Sequence, residues 1–427
     1  MINFLIAIVF ITGYLAIIFE QKIHLNKAAS ALLTGVLCWV SYAMFQQDSY
    51  QTNEALEQHL GEISNILFFL LGAMTIVELI DVHDGFEFIT ERISTKSAQK
   101  LLWIIGFITF FLSAILDNLT TTIVMITLIR KLIKFRNHRL LFAGIIVIAA
   151  NAGGAWSPLG DVSTTMLWIG GQISPLKTIS RLFLPSFICL LIPLWILHFK
   201  YRGITIGKDV SPIQSNYPDK KERNIILFTG IAVLLFVPFF KTITHLPPYM
   251  GILLGLGIMW IVTAILHHKK NEEDKDIRSV SYAMRKIDTP SILFFLGILL
   301  AVAALQQSGQ LKTAADWLSA NIKSDTIVVS ILGLLSSVVD NVPLVAGLQG
   351  MYDLDIYPKD HFFWQFLAYC TGTGGSTLII GSAAGVAAMG MEKIDFFWYI
   401  KNISLLALSG YFVGAIIYLL QQYFIFN

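Results

Sequence analysis

The architecture of this chain can be read from a six-residue motif that occurs twice, as Ser113-Ala-Ile-Leu-Asp117-Asn118 and as Ser336-Ser-Val-Val-Asp340-Asn341. Two other patterns recur in the same order along the chain. They are ILFFL at 66–70 and 292–296, and a pair of glycines followed six residues later by a third, at 153–160 and 374–381. A single apolar pentapeptide can recur by chance, but three matches in register indicate an internal repeat.

The composition places the chain in a lipid bilayer. Of its 427 residues, 55% are hydrophobic and only 14% are charged, whereas a soluble protein has about 25% charged residues. This excludes a soluble enzyme, a nucleic-acid binder and a disordered tail. Apolar stretches of about 17–22 residues, long enough to cross a bilayer, fall at 3–19, 28–46, 63–80, 182–199, 224–240, 250–267, 290–307 and 396–420, with longer Gly-rich stretches at 141–170 and 362–392.

Loop charges predict the orientation of these spans. Basic residues concentrate at 20–27, 130–139, 200–223 and 267–289, whereas 47–62 and 350–361 are acidic. The positive-inside rule then places the basic loops in the cytoplasm and both termini outside. This topology requires 101–130 and 325–350 each to enter and leave on one side, either as a re-entrant hairpin or as a pair of helices.

The predicted fold is therefore an all-α polytopic membrane protein of about ten transmembrane helices plus two re-entrant hairpins. The first repeat spans 1–199 (hairpin 101–130, broken helix 141–170), a cytoplasmic linker spans 200–223, and the second repeat spans 224–427 (hairpin 325–350, broken helix 362–392). Five crossings per copy is an odd number, so the two copies are inverted. Inverted repeats are typical of secondary transporters, whose sites lie at the midplane on discontinuous helices.

Both hairpins carry an acid where the chain turns. Asp117-Asn118 and Asp340-Asn341 follow apolar residues, and an acid at bilayer depth costs about 2.5–3.5 kcal/mol unless it faces water, an ion or a partner. Ser113 and Ser336 precede these acids by one helical turn and share their face. The alternative is a loop tip outside the membrane, with Asp-Asn as a helix cap.

The first Gly-rich stretch adds a third acid, Asp161. Gly153, Gly154, Pro158 and Gly160 predict that this span unwinds at its middle, which offers carbonyl oxygens to a cation. Its counterpart, 371–382, has hydroxyls but no acid, because Ser382 stands at the position of Asp161. The alternative for such glycines is close helix packing.

Three carboxylates among amide and hydroxyl oxygens suit Na⁺ or Li⁺ and repel an anion. Crowded acids in a low-dielectric site also favour the proton, so H⁺ and Na⁺ compete for the same oxygens. Competition combined with alternating access gives antiport. No catalytic motif occurs, and the cysteines lie in apolar runs, so the sequence predicts neither an enzyme nor a cofactor beyond the transported Na⁺, Li⁺ and H⁺.

The runs SAILDN, NAGGAWSPLGDVSTT, SSVVDN and TGTGGS resemble those of NhaD-type sodium/proton antiporters, in the superfamily that also holds arsenite and citrate or dicarboxylate carriers. The resemblance covers about 60–400. It implies a transport domain of hairpins and broken helices, and a scaffold domain that dimerises. It also implies ion-site roles for Ser113, Asp117, Asn118, Thr121, Asn151, Asp161, Thr164, Ser336, Asp340, Asn341 and Ser376. The three aspartates are the predicted Na⁺ ligands.

The sequence thus predicts a multi-pass antiporter of a bacterial inner membrane, a homodimer in the lipid bilayer that binds no nucleic acid and exchanges cytoplasmic Na⁺ for external H⁺. The alternative is an anion carrier of the same superfamily, for dicarboxylate or arsenite. A membrane-embedded enzyme or structural subunit does not explain acids repeated in both halves. His83 is expected to be solvated at a span end, and His267 and His268 are expected to be interfacial anchors.

Overall fold

The computed structural model describes residues 2–426, apart from 19, 24, 46–48, 91–92, 94, 96, 134, 205–219, 269–277, 323 and 339. Most of the predicted linker 200–223 therefore lies outside the described residues. Within the described part, every regular element is a helix. This confirms the predicted all-α class.

The helices of the first half are α1 (Ile2–Ile18), α2 (Glu20–Ile23), α3 (Lys27–Phe45), α4 (Ser49–Val82), α5 (Glu87–Thr90), α6 (Ala98–Ser113), α7 (Asn118–Leu132), α8 (Arg136–Ala155), α9 (Val162–Ile169) and α10 (Pro175–Lys200). Those of the second half are α11 (Lys220–Thr244), α12 (Pro248–His267), α13 (Val280–Lys286), α14 (Thr289–Gln307), α15 (Gln310–Asn321), α16 (Asp325–Leu335), α17 (Asn341–Met351), α18 (Phe362–Gly374), α19 (Ala383–Glu392), α20 (Phe396–Tyr399) and α21 (Leu405–Gln421). Single π-helical turns follow α20 and α21, over Ile400–Ser404 and Gln422–Phe426.

Eight helical segments of the described chain are long and apolar enough to cross a bilayer. They are α3, α4, α8, α10, α11, α12, α14 and the continuous segment Phe396–Phe426. The predicted ten included two more segments. The first, 3–19, contains a shorter apolar helix, Phe4–Ile17, and the second, 362–392, is divided between α18 and α19. The chain is a multi-pass membrane protein.

The acidic stretch 47–62 is not a loop where the structure describes it. From Ser49 onward it is helical and continues into the third predicted span as the 34-residue helix α4. Glu54 and Glu57 lie on its exposed side, whereas Thr52 is buried. Residues such as Glu, Ala, Leu and Gln favour a helix intrinsically, so the charges mark an exposed helix face rather than a break in the helix.

The chain divides into two compact units, and each takes segments from both halves. The first unit comprises Met1–Phe88, Asn216–Ala320 and Ala346–Tyr352, and the second comprises Ile89–Ser215, Asn321–Val345 and Asp353–Asn427. In the first unit, α14 packs along α3. A core of Ile6, Cys38, Trp39, Tyr42 and Ala304 lies between these helices and α1.

The second unit contains both broken helices, the first hairpin, and the second hairpin as far as Val345. A four-residue turn joins α6 to α7, and residues 336–340 separate α16 from α17. The broken helices are interrupted at 156–161, between α8 and α9, and at 375–382, between α18 and α19. Each of these four helix interruptions carries polar residues.

The prediction that all four breakers unwind the first of these spans is wrong for Gly153 and Gly154, which remain inside α8. The break follows Ala155 and contains Pro158 and Gly160, and the proline lacks a backbone N–H. Gly153 instead permits close packing, because a Cβ atom there would collide with the carbonyl of Phe110 on α6. Gly374 has the same role on α18, against the carbonyl of Gly333 on α16.

Two buried carboxylates anchor the ends of the second unit's helices. Glu392, at the end of α19, accepts from Arg130 Nε at 2.7 Å and from Arg139 Nε at 3.2 Å. Asp360 accepts from the backbone N–H of Ser174 at 2.6 Å and from its hydroxyl at 2.8 Å. The basic segment 130–139 therefore has a structural role besides its charge.

Replacing Gly153 by Ala should destabilise the protein by about 1–3 kcal/mol, because the added methyl group must displace the α6 backbone. Gly390→Ala is the matched control, since no atom lies within 4 Å of a Cβ added at this helical position, and alanine there should be neutral or stabilising. Thermal unfolding in detergent would measure both variants. Equal melting temperatures for the two would contradict the close-packing role.

Candidate ion-binding site

Asp161 is the acid at the centre of the second unit, and its side chain is only 3% exposed. It is the N-cap of α9, immediately after the break in the first broken helix. Its Oδ1 accepts from the backbone N–H and from the hydroxyl of Ser163, both at 3.0 Å. One carboxylate oxygen is thus hydrogen-bonded to the first turn of α9, while the other faces the hairpins.

The two hairpins converge on that second oxygen. Asn118, the first residue of α7, places Nδ2 at 3.2 Å from Asp161 Oδ2. Asn341, the first residue of α17, places Nδ2 at 3.4 Å from the same oxygen. Both asparagines are buried. The two asparagines, one from each copy of the repeated motif, therefore meet at one carboxylate.

Asn151 and Ser336 extend this polar network. Asn151 Oδ1 lies 3.2 Å from Asn118 Nδ2, and Asn151 Nδ2 lies 2.9 Å from Ser382 Oγ. Ser336 Oγ hydrogen-bonds to Asn341 Oδ1 and lies 3.0 Å from the carbonyl of Thr371. Ser382 is the N-cap of α19, the place that Asp161 takes on α9. The network therefore links both broken helices to both hairpins.

Asp117 and Asp340 lie at the hairpin turns and are half-buried. Asp117 is the N-cap of α7: its oxygens accept from the backbone N–H of Thr120 at 2.8 Å and from its hydroxyl at 2.6 Å. Asp340 Oδ1 lies 3.4 Å from the backbone N–H of Val342 and is within electrostatic range of Asp161. The structure thus gives both acids a capping contact, the alternative considered for them from the sequence.

The predicted hydroxyl ligands fall into two groups. Ser113, Thr164 and Ser376 each bond to a backbone carbonyl, of Ala150 at 2.6 Å, Gly154 at 3.4 Å and Thr373 at 2.7 Å respectively. Thr121 differs, because its buried Oγ1 has no hydrogen-bond partner among the described residues. It lies three residues after Asn118 and so on the same face of α7. A buried hydroxyl without a protein partner is available to ligate an ion or to hydrogen-bond a water molecule.

Three polar residues of this region were not among the predicted site residues. Ser163 holds Asp161 in place, and Ser382 receives the Asn151 amide. Thr122 has a buried hydroxyl that, like that of Thr121, lacks a partner within the described chain. The sequence repeat could have identified Ser382, because it aligns this residue with Asp161. The only indication for Ser163 and Thr122 was that they lie next to predicted site residues in the sequence.

This arrangement can exchange one ligand for another. Carboxylate, amide, hydroxyl and carbonyl oxygens are the donor atoms of hard cations. The groups that contact Asp161 Oδ2 in the described structure are neutral amides, which can turn to present either N–H or C=O. The site can therefore accommodate a bare carboxylate, a protonated one or a carboxylate with a bound cation.

Comparison with known proteins gives consistent results. A family model described as "Citrate transporter" matches residues 14–372. "Sodium/proton antiporter 1" of Arabidopsis thaliana is 49% identical over 97% of this chain and 71% of its own length. "Na(+)/H(+) antiporter NhaD" of Vibrio cholerae is 31% identical over 99% of this chain and 92% of its own length.

Among solved structures, the YdaH transporter of Alcanivorax borkumensis, whose crystal structure is described as revealing an unusual topology, superposes with a TM-score of 0.61. It covers 93% of this chain and 98% of its own chain at 11% sequence identity. At that identity the likeness concerns the fold alone. Together with the eight apolar segments, it supports the predicted polytopic helical architecture.

Two hydroxyl deletions should affect stability differently. Thr121→Val removes an unpartnered hydroxyl and should change the free energy of unfolding by less than about 0.5 kcal/mol. Ser163→Ala removes a bond to the Asp161 carboxylate and should cost about 1–2 kcal/mol. Thermal or denaturant unfolding would compare them, and an equally large loss for Thr121→Val would show that its hydroxyl is bonded within the protein.

Proposed function

We propose that this chain, which belongs to the NhaD-type sodium/proton antiporters within the citrate-transporter family, exports cytoplasmic Na⁺ in exchange for external H⁺, with Asp161 as the group at which the two ions compete. Its relatives are named antiporters, and the chain is a sodium/proton exchanger rather than an enzyme. The direction of exchange, the residues and the cycle below are the proposal.

One observation carries the proposal: a buried carboxylate oxygen receives amides from both hairpins. Placing a carboxylate at bilayer depth is costly, and neutral amides compensate only part of its charge. A bound proton or Na⁺ completes the compensation. The charge therefore makes an unloaded carrier unfavourable, which couples the movement of the carrier to an exchange of cargo.

The two asparagines supply a way to change ligands. With Nδ2 toward Asp161 they stabilise the empty carboxylate, and a half-turn of each amide presents Oδ1 to a cation or to a carboxylic O–H. Ser336 tolerates both orientations of Asn341, because its hydroxyl can donate to an amide oxygen or accept from an amide N–H. Thr121 and Thr122 add hydroxyl oxygens that no described group uses.

The cycle follows from competition for these oxygens. Facing the cytoplasm, Na⁺ displaces protons from Asp161 and from the proposed partners Asp117 and Asp340. The site then opens outward, Na⁺ leaves, and protons from outside bind before the site returns. The predicted inverted repeats would supply alternating access, since each copy can adopt the other's conformation.

The anion-carrier alternative is supported by the description of the family model as a citrate transporter. Against it stands the acid at the centre of the network, which repels a carboxylate substrate. Among the described contacts of Asp161 Oδ2 there is no Lys or Arg to hold an anion. Sodium citrate and sodium succinate, compared with NaCl in the same assay, separate the two functions.

The finer parts of the proposal extend to Li⁺, the membrane and the oligomer. Li⁺ should use the Na⁺ site, because it is a hard monovalent cation that binds the same oxygens. The proposed location is a bacterial inner membrane, which supplies the proton gradient that the exchange requires, and the proposed oligomer is a homodimer. LiCl-driven exchange and light scattering of the purified protein test the ion and the oligomer respectively.

Removing the negative charge of any one of the three acids should abolish exchange. The informative changes are Asp161→Asn, Asp117→Asn and Asp340→Asn, because asparagine caps a helix as well as aspartate does and so removes the charge while keeping the cap. Everted vesicles with a quenched pH probe would report the exchange, as recovery of fluorescence after addition of NaCl.

The exposed acid Asp355 provides the control, since Asp355→Asn should retain full exchange. If Asp117→Asn or Asp340→Asn were active, that acid would be a helix cap only. If Asp161→Asn were active, the central proposal would fail.

Thr121→Val should raise the apparent KM for Na⁺ by about tenfold. This is the effect expected if the threonine oxygen contributes about 1.4 kcal/mol to Na⁺ binding, an energy similar to that of one hydrogen bond. The maximal rate should change less, because the acids remain. The same vesicle assay over a series of NaCl concentrations measures both quantities. An unchanged KM would remove Thr121 from the ligand set.

A further inference from the structure

Three side chains meet in the first unit, far along the chain from the acids of the second. His83 follows the last turn of α4, Glu222 lies in the first turn of α11, and His267 is the last residue of α12. Their relative exposures are 0%, 6% and 5%. The expectation that His83 is solvated and His267 an interfacial anchor is therefore wrong, because the three helix ends bury each other's side chains.

The potential ligand atoms of these residues face one another. His83 Nε2 lies 3.3 Å from His267 Nε2, His267 Nε2 lies 2.8 Å from Glu222 Oε1, and His83 Nε2 lies 3.9 Å from the same oxygen. Ligand atoms bound about 2.0–2.1 Å from a tetrahedral Zn²⁺ are about 3.3 Å apart. The observed separations bracket that value, so one ion can reach all three atoms with small side-chain adjustments.

The ring orientations match this donor role. His83 Nδ1 lies 2.7 Å from the carbonyl of Leu79, a contact that the N–H form of Nδ1 makes, which leaves the lone pair on Nε2. Metal-bound histidines commonly donate their other ring N–H to a carbonyl or carboxylate in this way. The two imidazole rings are nearly parallel at 16°, with centres 5.2 Å apart, and their Nε2 atoms lie close together.

Charge and access also fit a cation. Glu222 brings one negative charge, which offsets the positive charge of Arg278 within electrostatic range of His83. A cavity of about 300 Å³ is lined by His267, its neighbour His268 and residues of α12 and α13. An ion can therefore approach the cluster from that cavity, and a water molecule can take the fourth coordination position.

We propose that His83, Glu222 and His267 form a binding site for a divalent transition metal ion, with Zn²⁺ the favoured ion. Two imidazoles and a carboxylate are a zinc ligand set, whereas Na⁺, Mg²⁺ and Ca²⁺ prefer sites made of oxygens alone. The bound ion fastens the ends of α4, α11 and α12 together. It would be a ligand in addition to the transported ions, and the site is independent of the proposed exchange.

The test uses the purified full-length protein in detergent, stripped with a chelator, incubated with ZnCl₂ and passed through a desalting column. We expect one Zn²⁺ per chain in the wild type, and in His268→Gln, the matched control whose side chain is exposed in the same cavity wall. His83→Gln and His267→Gln should retain none, and Glu222→Gln should bind at least tenfold more weakly. Zn²⁺ that is absent from the wild type, or retained equally by the two histidine variants, would overturn the proposal.

X-ray absorption of the zinc-loaded wild type provides a measurement that does not depend on the folding of any variant. We expect two imidazole ligands at about 2.0–2.1 Å from the metal. A spectrum with oxygen ligands only would overturn the proposal, because it would place the ion elsewhere. Circular dichroism and gel filtration identify any variant that is misfolded. At such a position, the glutamine substitution would be exchanged for an alanine substitution.

Discussion

The buried negative charge of Asp161 is the constraint on which the second unit depends. A carboxylate that is 3% exposed within a membrane protein needs donors on both oxygens or a bound cation. One carboxylate oxygen accepts a hydrogen bond from the N-terminus of α9, and the other accepts from the side-chain amides of Asn118 on α7 and Asn341 on α17. The hairpins, the helix breaks and the close glycine contacts all serve to bring these groups together.

The two halves of the chain stabilise the surroundings of Asp161 with equivalent contacts. Ser113 donates to the carbonyl of Ala150, and Ser336, its counterpart in the motif, is bonded to the carbonyl of Thr371. Gly153 and Gly374 allow the matching close approaches of each hairpin to its broken helix. The halves differ at the N-cap after each break, where one has Asp161 and the other Ser382. Similar contacts in the two halves thus surround a single central acid, Asp161.

Much of this could be predicted from the sequence, because it follows from local patterns. Apolar length predicted the spans, and repeated Asp-Asn pairs predicted where hairpins turn, since both depend on residues near one another in the chain. The behaviour of Gly153 and Gly154 could not be predicted, because whether a glycine breaks a helix or admits a neighbour depends on what packs against it. The burial of His83 with Glu222 and His267 was missed for the same reason: only the packing of three helix ends brings them together. The inversion of the copies and the roles of the individual acids remain predictions.

In the proposed exchange, Na⁺ and H⁺ occupy the same carboxylates in turn. The most direct test of this is proton release from the purified protein in weakly buffered detergent solution when NaCl is added, with choline chloride as the control. We expect a pulse of protons from the wild type that saturates with Na⁺ concentration and is absent from Asp161→Asn. Saturable Na⁺ binding without proton release, or an equal pulse from Asp161→Asn, would contradict it.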